Sequence, residues 1–256
     1  MDLELNGKRA LVLGASRGLG MAIAKSLAAE GATVFAAARS RDKIADWAKG
    51  MENVHPVQCD LSVLAQVNAL ADRLLSDGGA DIIVNNGGGP PPGAAQAAER
   101  GQWLAHFEAM AANLFHLNTR LLPEMKARGW GRIISITSSG VEQPIPNLAL
   151  SNGIRSAVVG WSKTLANEVA GDGITVNVVM PGRIHTQRVD ELDAAAAKRT
   201  DSDVATVAAR SRATIPAGRY GKPEEFADVV TFLASARAGY VTGSRIRIDG
   251  GAIKGV

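Results

Sequence analysis

The chain has 256 residues, of which 46% are apolar, so it can build one large α/β domain or two small ones with a sizeable core. A net charge of only +3, scattered basic residues and 4% aromatic residues argue against nucleic-acid binding. The sequence contains no apolar run of about 18 residues, so we expect no membrane span. Residues 1–5 lack the pattern of a secretory signal.

Cys59 is the single cysteine of the sequence, so an intramolecular disulfide is excluded. A lone cysteine at the end of an apolar strand pattern predicts a buried structural thiol and fits a reducing cytoplasm, which is the expected location. The sequence contains no His, Cys, Asp or Glu cluster with the spacing of metal ligands, and we therefore expect no metal site.

Short apolar runs alternate with helical patterns along the whole chain. Strands are predicted at residues 9–13, 33–37, 54–58, 81–85, 132–137, 175–179 and 245–248. Helices are predicted at residues 18–30, 41–49, 63–76, 102–128, 151–170 and 223–234. Continuous apolar strands that alternate with helices are typical of a parallel sheet covered on both faces. We predict one α/β domain over residues 1–256, with a doubly wound, seven-stranded parallel sheet.

A glycine-rich turn joins the first predicted strand to the first predicted helix. Its sequence is Gly14-Ala15-Ser16-Arg17-Gly18-Leu19-Gly20. Glycines let a backbone turn sharply and come close to a pyrophosphate, and the helix N-terminus then offers free N–H groups and a positive dipole end to the anion. The turn predicts nucleotide binding.

Two segments interrupt the alternation of strands and helices. Residues 87–93, Gly-Gly-Gly-Pro-Pro-Pro-Gly, form a stiff loop after the fourth strand, and residues 189–212 are helical in pattern after the sixth. Both lie at the carboxyl edge of the sheet, where ligands bind in open α/β folds. A lid over residues 186–214 is one interpretation of the second segment, and an ordinary pair of surface helices is the other.

The spacing Gly-x-x-x-Gly-x-Gly resembles that of the classical short-chain dehydrogenase/reductases. Other motifs of that family follow in the same order, so the resemblance covers essentially the whole chain. They are Cys59-Asp60-Leu61, Asn85-Asn86-Gly87-Gly88, Ser138 after the fifth strand, Pro181-Gly182, Thr242-Gly243 and Asp249-Gly250-Gly251. The resemblance implies a Rossmann fold, an NAD(P) cofactor and a small-molecule substrate. It also implies a homotetramer or homodimer built on the helices near residues 102–128 and 151–170.

The resemblance implies a set of cofactor contacts, in which Asp60 meets the adenine while Ile184 and Thr186 hold the nicotinamide carboxamide. The implied set is Gly14, Ser16, Arg17, Gly18, Leu19, Gly20, Arg39, Asp60, Leu61, Asn86, Gly87, Arg155, Pro181, Gly182, Ile184 and Thr186.

Charge at the end of the second strand favours NADP(H) over NAD(H). NAD-binding members carry an acidic residue there for the ribose 2′-hydroxyl. This chain has Arg39 and Arg41 instead, and Arg17 lies in the glycine turn. Guanidinium groups bind a 2′-phosphate in a bidentate manner, although Arg39 and Arg41 also fit the role of solvated surface charges.

The family's catalytic set is a serine, a tyrosine thirteen positions later, a lysine four positions beyond, and a supporting asparagine. Counting from Ser138 places Ser151 and Arg155 at the tyrosine and lysine positions. Met110 stands at the asparagine position, with Asn113 one turn further on. Only the serine is retained, a pattern that resembles a divergent branch related to 3-oxoacyl-carrier-protein reductases. A serine hydroxyl is a far weaker acid than a phenol, and an arginine does not shuttle protons.

Several groups are candidates for a replacement proton donor. His185 lies between the two nicotinamide contacts and titrates near neutral pH, although a solvent-facing histidine is the plainer interpretation. Glu142, in a loop at the cleft, is the second candidate. A carboxylate that faces solvent is again the plainer interpretation of this residue. The two tyrosines, Tyr220 and Tyr240, belong to segments that look structural.

The leading hypothesis is an NADP(H)-dependent oxidoreductase that acts on a carbonyl or hydroxyl substrate. Ser138 anchors the substrate oxygen, Arg155 binds the ribose, Ser151 lies beside them, and the proton comes from water, His185 or the substrate. Two alternatives stay open. One is an NADP-binding sensor or partner subunit without turnover, and the other is a non-redox lyase or isomerase in the same cleft.

Overall fold

Seven parallel strands form one sheet at the centre of the computed structural model, which describes residues 2–255. The strands are β1 (Arg9–Leu13), β2 (Thr33–Ala38), β3 (Val54–Gln58), β4 (Ile82–Asn85), β5 (Gly131–Ile136), β6 (Ile174–Pro181) and β7 (Arg245–Ile248). Their order is β3-β2-β1-β4-β5-β6-β7, the doubly wound arrangement of a Rossmann fold. The order reverses between β1 and β4, which opens a crevice at the carboxyl ends of these strands.

Helices cover both faces of the sheet. They are α1 (Gly18–Ala29), α2 (Arg41–Trp47), α3 (Leu64–Ser76), α4 (Arg100–Phe107), α5 (Asn113–Arg128), α6 (Ala149–Val169), α7 (Gln187–Arg199), α8 (Val204–Ala213) and α9 (Pro223–Leu233). Apolar side chains of α1 and α9 form one core with the sheet, those of α3, α5 and α6 form a second, and a smaller third cluster joins Met110 to the start of α6. The prediction of a single α/β domain with a seven-stranded parallel sheet is confirmed.

The long helix predicted at residues 102–128 is not one regular helix. It consists of α4, a wide π-helical turn at Glu108–Ala112, and α5. Just after this turn, the Asn113 side chain donates a hydrogen bond to the Leu61 carbonyl at 2.8 Å. π-turns within helices are frequent at functional sites, and this one carries Met110, which is buried.

Other boundaries differ from the predicted ones by a few residues. β5 ends at Ile136, so Thr137 lies outside the strand. Asp81 precedes β4, and its carboxylate accepts the Arg9 backbone N–H and pairs with Arg128. Predicted as a buried thiol, Cys59 is 3% exposed, and burial raises its pKa to about 11. Of the helices in residues 2–255, none has both the length and the apolar character needed to span a membrane.

Candidate active site

The glycine turn is held in a conformation that only glycine satisfies. Gly14 has a φ of +63°, and a Cβ there would lie 2.4 Å from the Asn86 carbonyl oxygen. A Cβ on Gly20 would lie 2.3 Å from the carbonyl oxygen of Gly14. Asn86, which follows the neighbouring strand β4, stabilises the turn, because its side-chain amide donates to the carbonyls of Leu13 and Gly14 at 3.2 and 3.4 Å.

The N-terminus of α1 is open for an anion. Its N-cap residue, Arg17, makes no side-chain capping bond, so the N–H groups of the first turn, at Gly18 and Leu19, are available. Ser16 lies in the turn itself, directly before this N-cap. A glycine-rich cradle at the start of a helix fits a dinucleotide pyrophosphate.

Arg17 does not extend toward the second strand, where the sequence places it beside a 2′-phosphate. Its guanidinium donates to the side chains of Gln187 at 2.6 Å and Glu191 at 3.1 Å, both on α7. Glu191 is separated from Arg17 by 174 positions in the sequence, so this bond depends on the tertiary packing of α7 against the turn. Arg17 therefore joins the phosphate cradle to the predicted lid.

Arg39 and Arg41 follow β2 and are exposed. Neither belongs to an ion pair within residues 2–255. The neighbouring Asp60 carboxylate accepts the Ser62 backbone N–H, and this bond, the Ser62 hydroxyl and the charge of Arg39 together lower the pKa of Asp60. A positive edge at the end of β2 thus remains for an anionic group of a ligand.

The contacts expected around the nicotinamide lie at the end of β6. The Gly182 backbone N–H donates to Ile248, and a Cβ on Gly182 would lie 2.6 Å from Cα of Asp249. Ile184 forms a parallel bridge with Gly221, and Thr186 precedes α7. With Pro181 at the end of the strand, this segment meets the glycine turn: a Cβ on Gly18 would lie 3.6 Å from the Thr186 methyl group.

Arg155, on α6, is half-buried at the carboxyl end of β5. Its Nη1 donates to the Ile136 carbonyl at 3.0 Å, and its Nε donates to the Ser151 hydroxyl at 3.3 Å. Burial lowers the pKa of Arg155 to about 10, so the guanidinium remains positively charged at neutral pH. No carboxylate within residues 2–255 lies within 4 Å of it.

The loop of residues 87–93 covers Arg155. At its far end, the Gly93 backbone N–H donates to Asn147 at 2.8 Å, and Gly93 accepts from Ala149 at 3.2 Å, which fixes the loop over the start of α6. Nearer its start, Gly89 approaches Arg155, whose Nη2 lies 3.9 Å from the position of a Cβ on that glycine. The pocket beside Arg155 is lined by Asn85, Gly87, Gly88, Met110, Leu114, Ile136, Thr137 and Val158.

Ser138 lies two residues beyond the end of β5, whereas the predicted strand ran to residue 137, and it caps the short 3₁₀ turn Ser139–Val141. Its Oγ accepts the Gly140 backbone N–H at 3.1 Å. This bond uses a lone pair of the hydroxyl and leaves its hydrogen free to donate. Asn152 fixes the loop that follows, because its side chain bonds both backbone groups of Ile145.

His185 belongs to a different pocket from Arg155. This pocket, of about 340 Å³, lies against α7 and α8, and the 65% exposed His185 ring stands 3.2 Å from Asp190 at its rim. Tyr220 also lines it and donates to the buried Asp193 at 2.7 Å, which in turn pairs with Arg183 at 3.0 Å. No sequence pattern predicts this link, which joins Tyr220 and Arg183 to Asp193 on α7.

Glu142 faces arginine side chains, whereas Tyr240 is open to solvent. Glu142 lies 3.5 Å from Arg247 and 3.8 Å from Arg245, whereas a solvated position was the plainer expectation. Tyr240 is fully exposed. Within the described chain, no group of three or more His, Cys, Asp or Glu side chains is placed to hold a metal ion.

Comparison with known proteins agrees with this geometry. A family model described as Enoyl-(Acyl carrier protein) reductase matches residues 14–252. The 3-oxoacyl-[acyl-carrier-protein] reductase FabG of Vibrio cholerae is 37% identical over 97% of this chain and 98% of its own length.

Solved structures show the same similarity. L-sorbose reductase of Gluconobacter frateurii, in complex with NADPH and L-sorbose, has a TM-score of 0.94 and 33% identity over the whole of both chains. YwfH, an NADPH-dependent reductase involved in bacilysin biosynthesis, has a TM-score of 0.93 and 29% identity over 98% of this chain and all of that one. The sheet order, the glycine turn and these similarities confirm that the chain belongs to the short-chain dehydrogenase/reductase family.

Proposed function

We propose that this protein is an NADP(H)-dependent oxidoreductase that reduces a carbonyl group of a small molecule, with Ser138 and Arg155 as its active groups. One observation carries the proposal. A glycine cradle built for a pyrophosphate and a half-buried cation without an acidic partner lie at the same edge of the sheet. The pairing supports a site that holds a dinucleotide and a second, electron-rich ligand.

NADP(H) is favoured over NAD(H) by the charges after β2. Arg39 and Arg41 are exposed there, and the residues 37–41 contain no acid that would prefer a 2′-hydroxyl. The neighbours named with NADPH, L-sorbose reductase and YwfH, support the same choice. The glycine turn, Asp60-Leu61, Asn86-Gly87 and the segment 181–186 would hold the cofactor.

The chemistry requires one hydride and one proton for each carbonyl reduced. NADPH supplies the hydride when it is bound. The free hydrogen of the Ser138 hydroxyl donates to the carbonyl oxygen, and the charge of Arg155 favours negative charge on the ligand. Arg155 keeps its own proton and Ser151 is a weak acid, so we propose that water delivers the proton to the reduced oxygen.

Ser138→Ala tests this role. We expect NADPH oxidation with an accepted carbonyl substrate to fall at least a hundredfold, because the donor to the carbonyl oxygen is lost. The dissociation constant for NADPH should change less than threefold. Ser139→Ala, one residue along, serves as the matched control and should keep the wild-type rate.

The same assay separates the alternative functions. NADPH binding without oxidation across a broad panel of carbonyl compounds would contradict the proposal and favour a sensor or partner subunit. Product formation without net change in NADPH absorbance would favour a lyase or isomerase. Steady oxidation that disappears in Ser138→Ala contradicts both.

Arg39→Ala tests the cofactor preference. We expect the NADPH dissociation constant to rise about ten- to a hundredfold, since a charge-assisted bond to the 2′-phosphate is lost. NADH lacks that phosphate, so its affinity should change less than threefold in the same titration. An equal loss for both cofactors would show that Arg39 does not read the phosphate.

Three further expectations rest on the family resemblance and the sequence. We propose that α7 and α8, within residues 186–214, act as a lid, and the bonds of Arg17 to α7 support its contact with the cofactor cradle. A homotetramer or homodimer and a cytoplasmic location remain predictions.

A further inference from the structure

The pocket of about 340 Å³ that holds His185 at its rim lies apart from the proposed reaction. Its walls come from α7, from α8 and from the segment of residues 220–222, and we call it the α7–α8 pocket. Its lining differs entirely from that of the pocket beside Arg155. At about 30 Å³ for each non-hydrogen atom, it holds a molecule of on the order of ten such atoms.

One wall of the α7–α8 pocket is fixed by paired polar groups. Asp193 of α7 is 3% exposed, accepts the Tyr220 hydroxyl at 2.7 Å and pairs with Arg183 at 3.0 Å. The neighbouring backbone is fixed as well, because the His185 N–H donates to the Gly221 carbonyl at 2.8 Å. These bonds hold the Tyr220 ring in place, so this wall is formed before any ligand enters.

The charges that line this pocket are unequally paired. Both carboxylates have partners, since Asp193 pairs with an arginine at 3.0 Å and Asp190 lies 3.2 Å from the His185 ring. Neither Arg212 nor Lys222 forms an ion pair with another side chain of residues 2–255. Two cations of one pocket are therefore available to an anionic ligand.

Glu225 does not remove the charge of Lys222 from the pocket. Its two carboxylate oxygens accept from Arg219 at 2.6 and 2.8 Å, and one of them also accepts the Lys222 backbone N–H at 2.7 Å. The bonds from Arg219 and from this backbone N–H hold the pKa of Glu225 at about 2. The carboxylate is thus already satisfied, and the Lys222 ammonium group keeps its capacity to bind an anion.

Apolar and aromatic surface lies beside the two cations. The guanidinium carbon of Arg212 is 5.7 Å from the centre of the Tyr220 ring, on whose rim the His185 ring stands at 6.2 Å. Val204 and Ala208, on the same helix as Arg212, also line the pocket. Such a lining fits a ligand with an anionic end and a small apolar or ring-shaped body.

We infer that the α7–α8 pocket binds a small phosphate monoester. A monoester carries a charge of about −1.5 to −2 at neutral pH, so one phosphate group can pair with Arg212 and Lys222 together. A carboxylate has a single negative charge and would leave one of these cations without a partner. The bound ligand would contact α7, α8 and residues 220–222 at once, and it would hold the proposed lid against the rest of the domain.

Histidine NMR tests binding at this place. The chain has four histidines, and the other three lie in β3, α4 and α5, away from this pocket. Protein saturated with NADP+, whose phosphate cradle is then filled, is titrated with phenyl phosphate and, separately, with benzoate. We expect phenyl phosphate to shift the signal of His185 alone, with a dissociation constant below about 1 mM. His185→Gln identifies this signal by its loss.

Benzoate measures how far the second negative charge matters. We expect it to bind at least about tenfold more weakly than phenyl phosphate, which corresponds to about 1.4 kcal/mol. Equal affinity for the two probes would overturn the assignment to phosphate. A His185 signal that stays unchanged at about 10 mM phenyl phosphate would overturn the site itself.

Substitutions on α8 assign the binding to this pocket. Arg212→Gln should weaken phenyl phosphate binding about tenfold or more, since a charge-assisted bond is lost. Ala208→Phe should abolish it by filling the pocket. Arg210→Gln removes the same charge from an exposed position of the same helix that does not line the pocket, and it should leave the affinity within about twofold.

The NADP+ dissociation constant, measured for each variant, reports whether the domain is folded. Binding of phenyl phosphate that persists in both Arg212→Gln and Ala208→Phe would contradict the inference. Arg212 and Lys222 have no part in the proposed reaction, so the two tests fail separately. A protein that binds phenyl phosphate and oxidises no NADPH would keep this site and reject the proposed function, and the reverse result would do the opposite.

Discussion

Arg155→Met is expected to lower kcat/KM for NADPH-dependent carbonyl reduction at least a hundredfold while leaving the protein as stable as the wild type or more so. The loss of activity follows from removing the positive charge that the cleft presents to the ligand. Stability should not fall, because the half-buried guanidinium has no acidic partner and methionine avoids the desolvation that lowers the pKa of Arg155. We expect the free energy of unfolding, measured in urea, to rise or to change by less than about 1 kcal/mol.

Arg132→Met is the matched control for this result. Arg132 is buried, at 3% exposure, and it stacks on the ring of Trp130 at 4.3 Å. Its three carbonyl acceptors would lose their donors, so the free energy of unfolding should fall by about 3 kcal/mol. The folded fraction should keep its activity, because Arg132 lies at the amino end of β5 and the site lies at the carboxyl end.

The opposite behaviour of the two arginines separates function from stability. If Arg155→Met destabilised the fold by more than about 2 kcal/mol and left kcat/KM unchanged, Arg155 would be a structural residue like Arg132. Such a result would contradict the proposed role of Arg155.

Gly14→Ala is expected to raise the NADPH dissociation constant at least a hundredfold. Alanine would have to adopt a φ of +63°, and its Cβ would lie 2.4 Å from the backbone oxygen of Asn86. Neither the backbone of residue 14 nor that of Asn86 can shift without moving the turn. The N–H groups that face the pyrophosphate would therefore be displaced. Titration of intrinsic fluorescence or of heat against NADPH measures the loss.

Gly7→Ala isolates the effect of backbone conformation from that of the collision. Gly7 also has a positive φ, of +75°, but nothing lies within 4 Å of the position of its Cβ. We expect it to cost about 1–2 kcal/mol of stability and to leave NADPH affinity within threefold of wild type. Similar losses of affinity in both variants would mean that general destabilisation, rather than the cradle, explains the Gly14 result.

Much of the fold was predictable from the sequence, because its signals are local. Seven apolar runs of strand length, separated by helical periodicity, predict a parallel sheet. The break of the long helix at Glu108–Ala112 was not predictable in this way, since the apolar pattern continues through it and Asn113 bonds to Leu61, 52 positions away.

The sequence by itself determined the family, the phosphate cradle and the replacement of tyrosine and lysine by Ser151 and Arg155, since each depends on residue identity at a fixed spacing. The tertiary structure decided which groups those residues meet. It placed Arg17 against α7 and Arg155 beneath the loop of residues 87–93, without a carboxylate in reach. Contacts between distant parts of a chain follow from packing, and packing determines whether a buried charge is paired or left for a ligand.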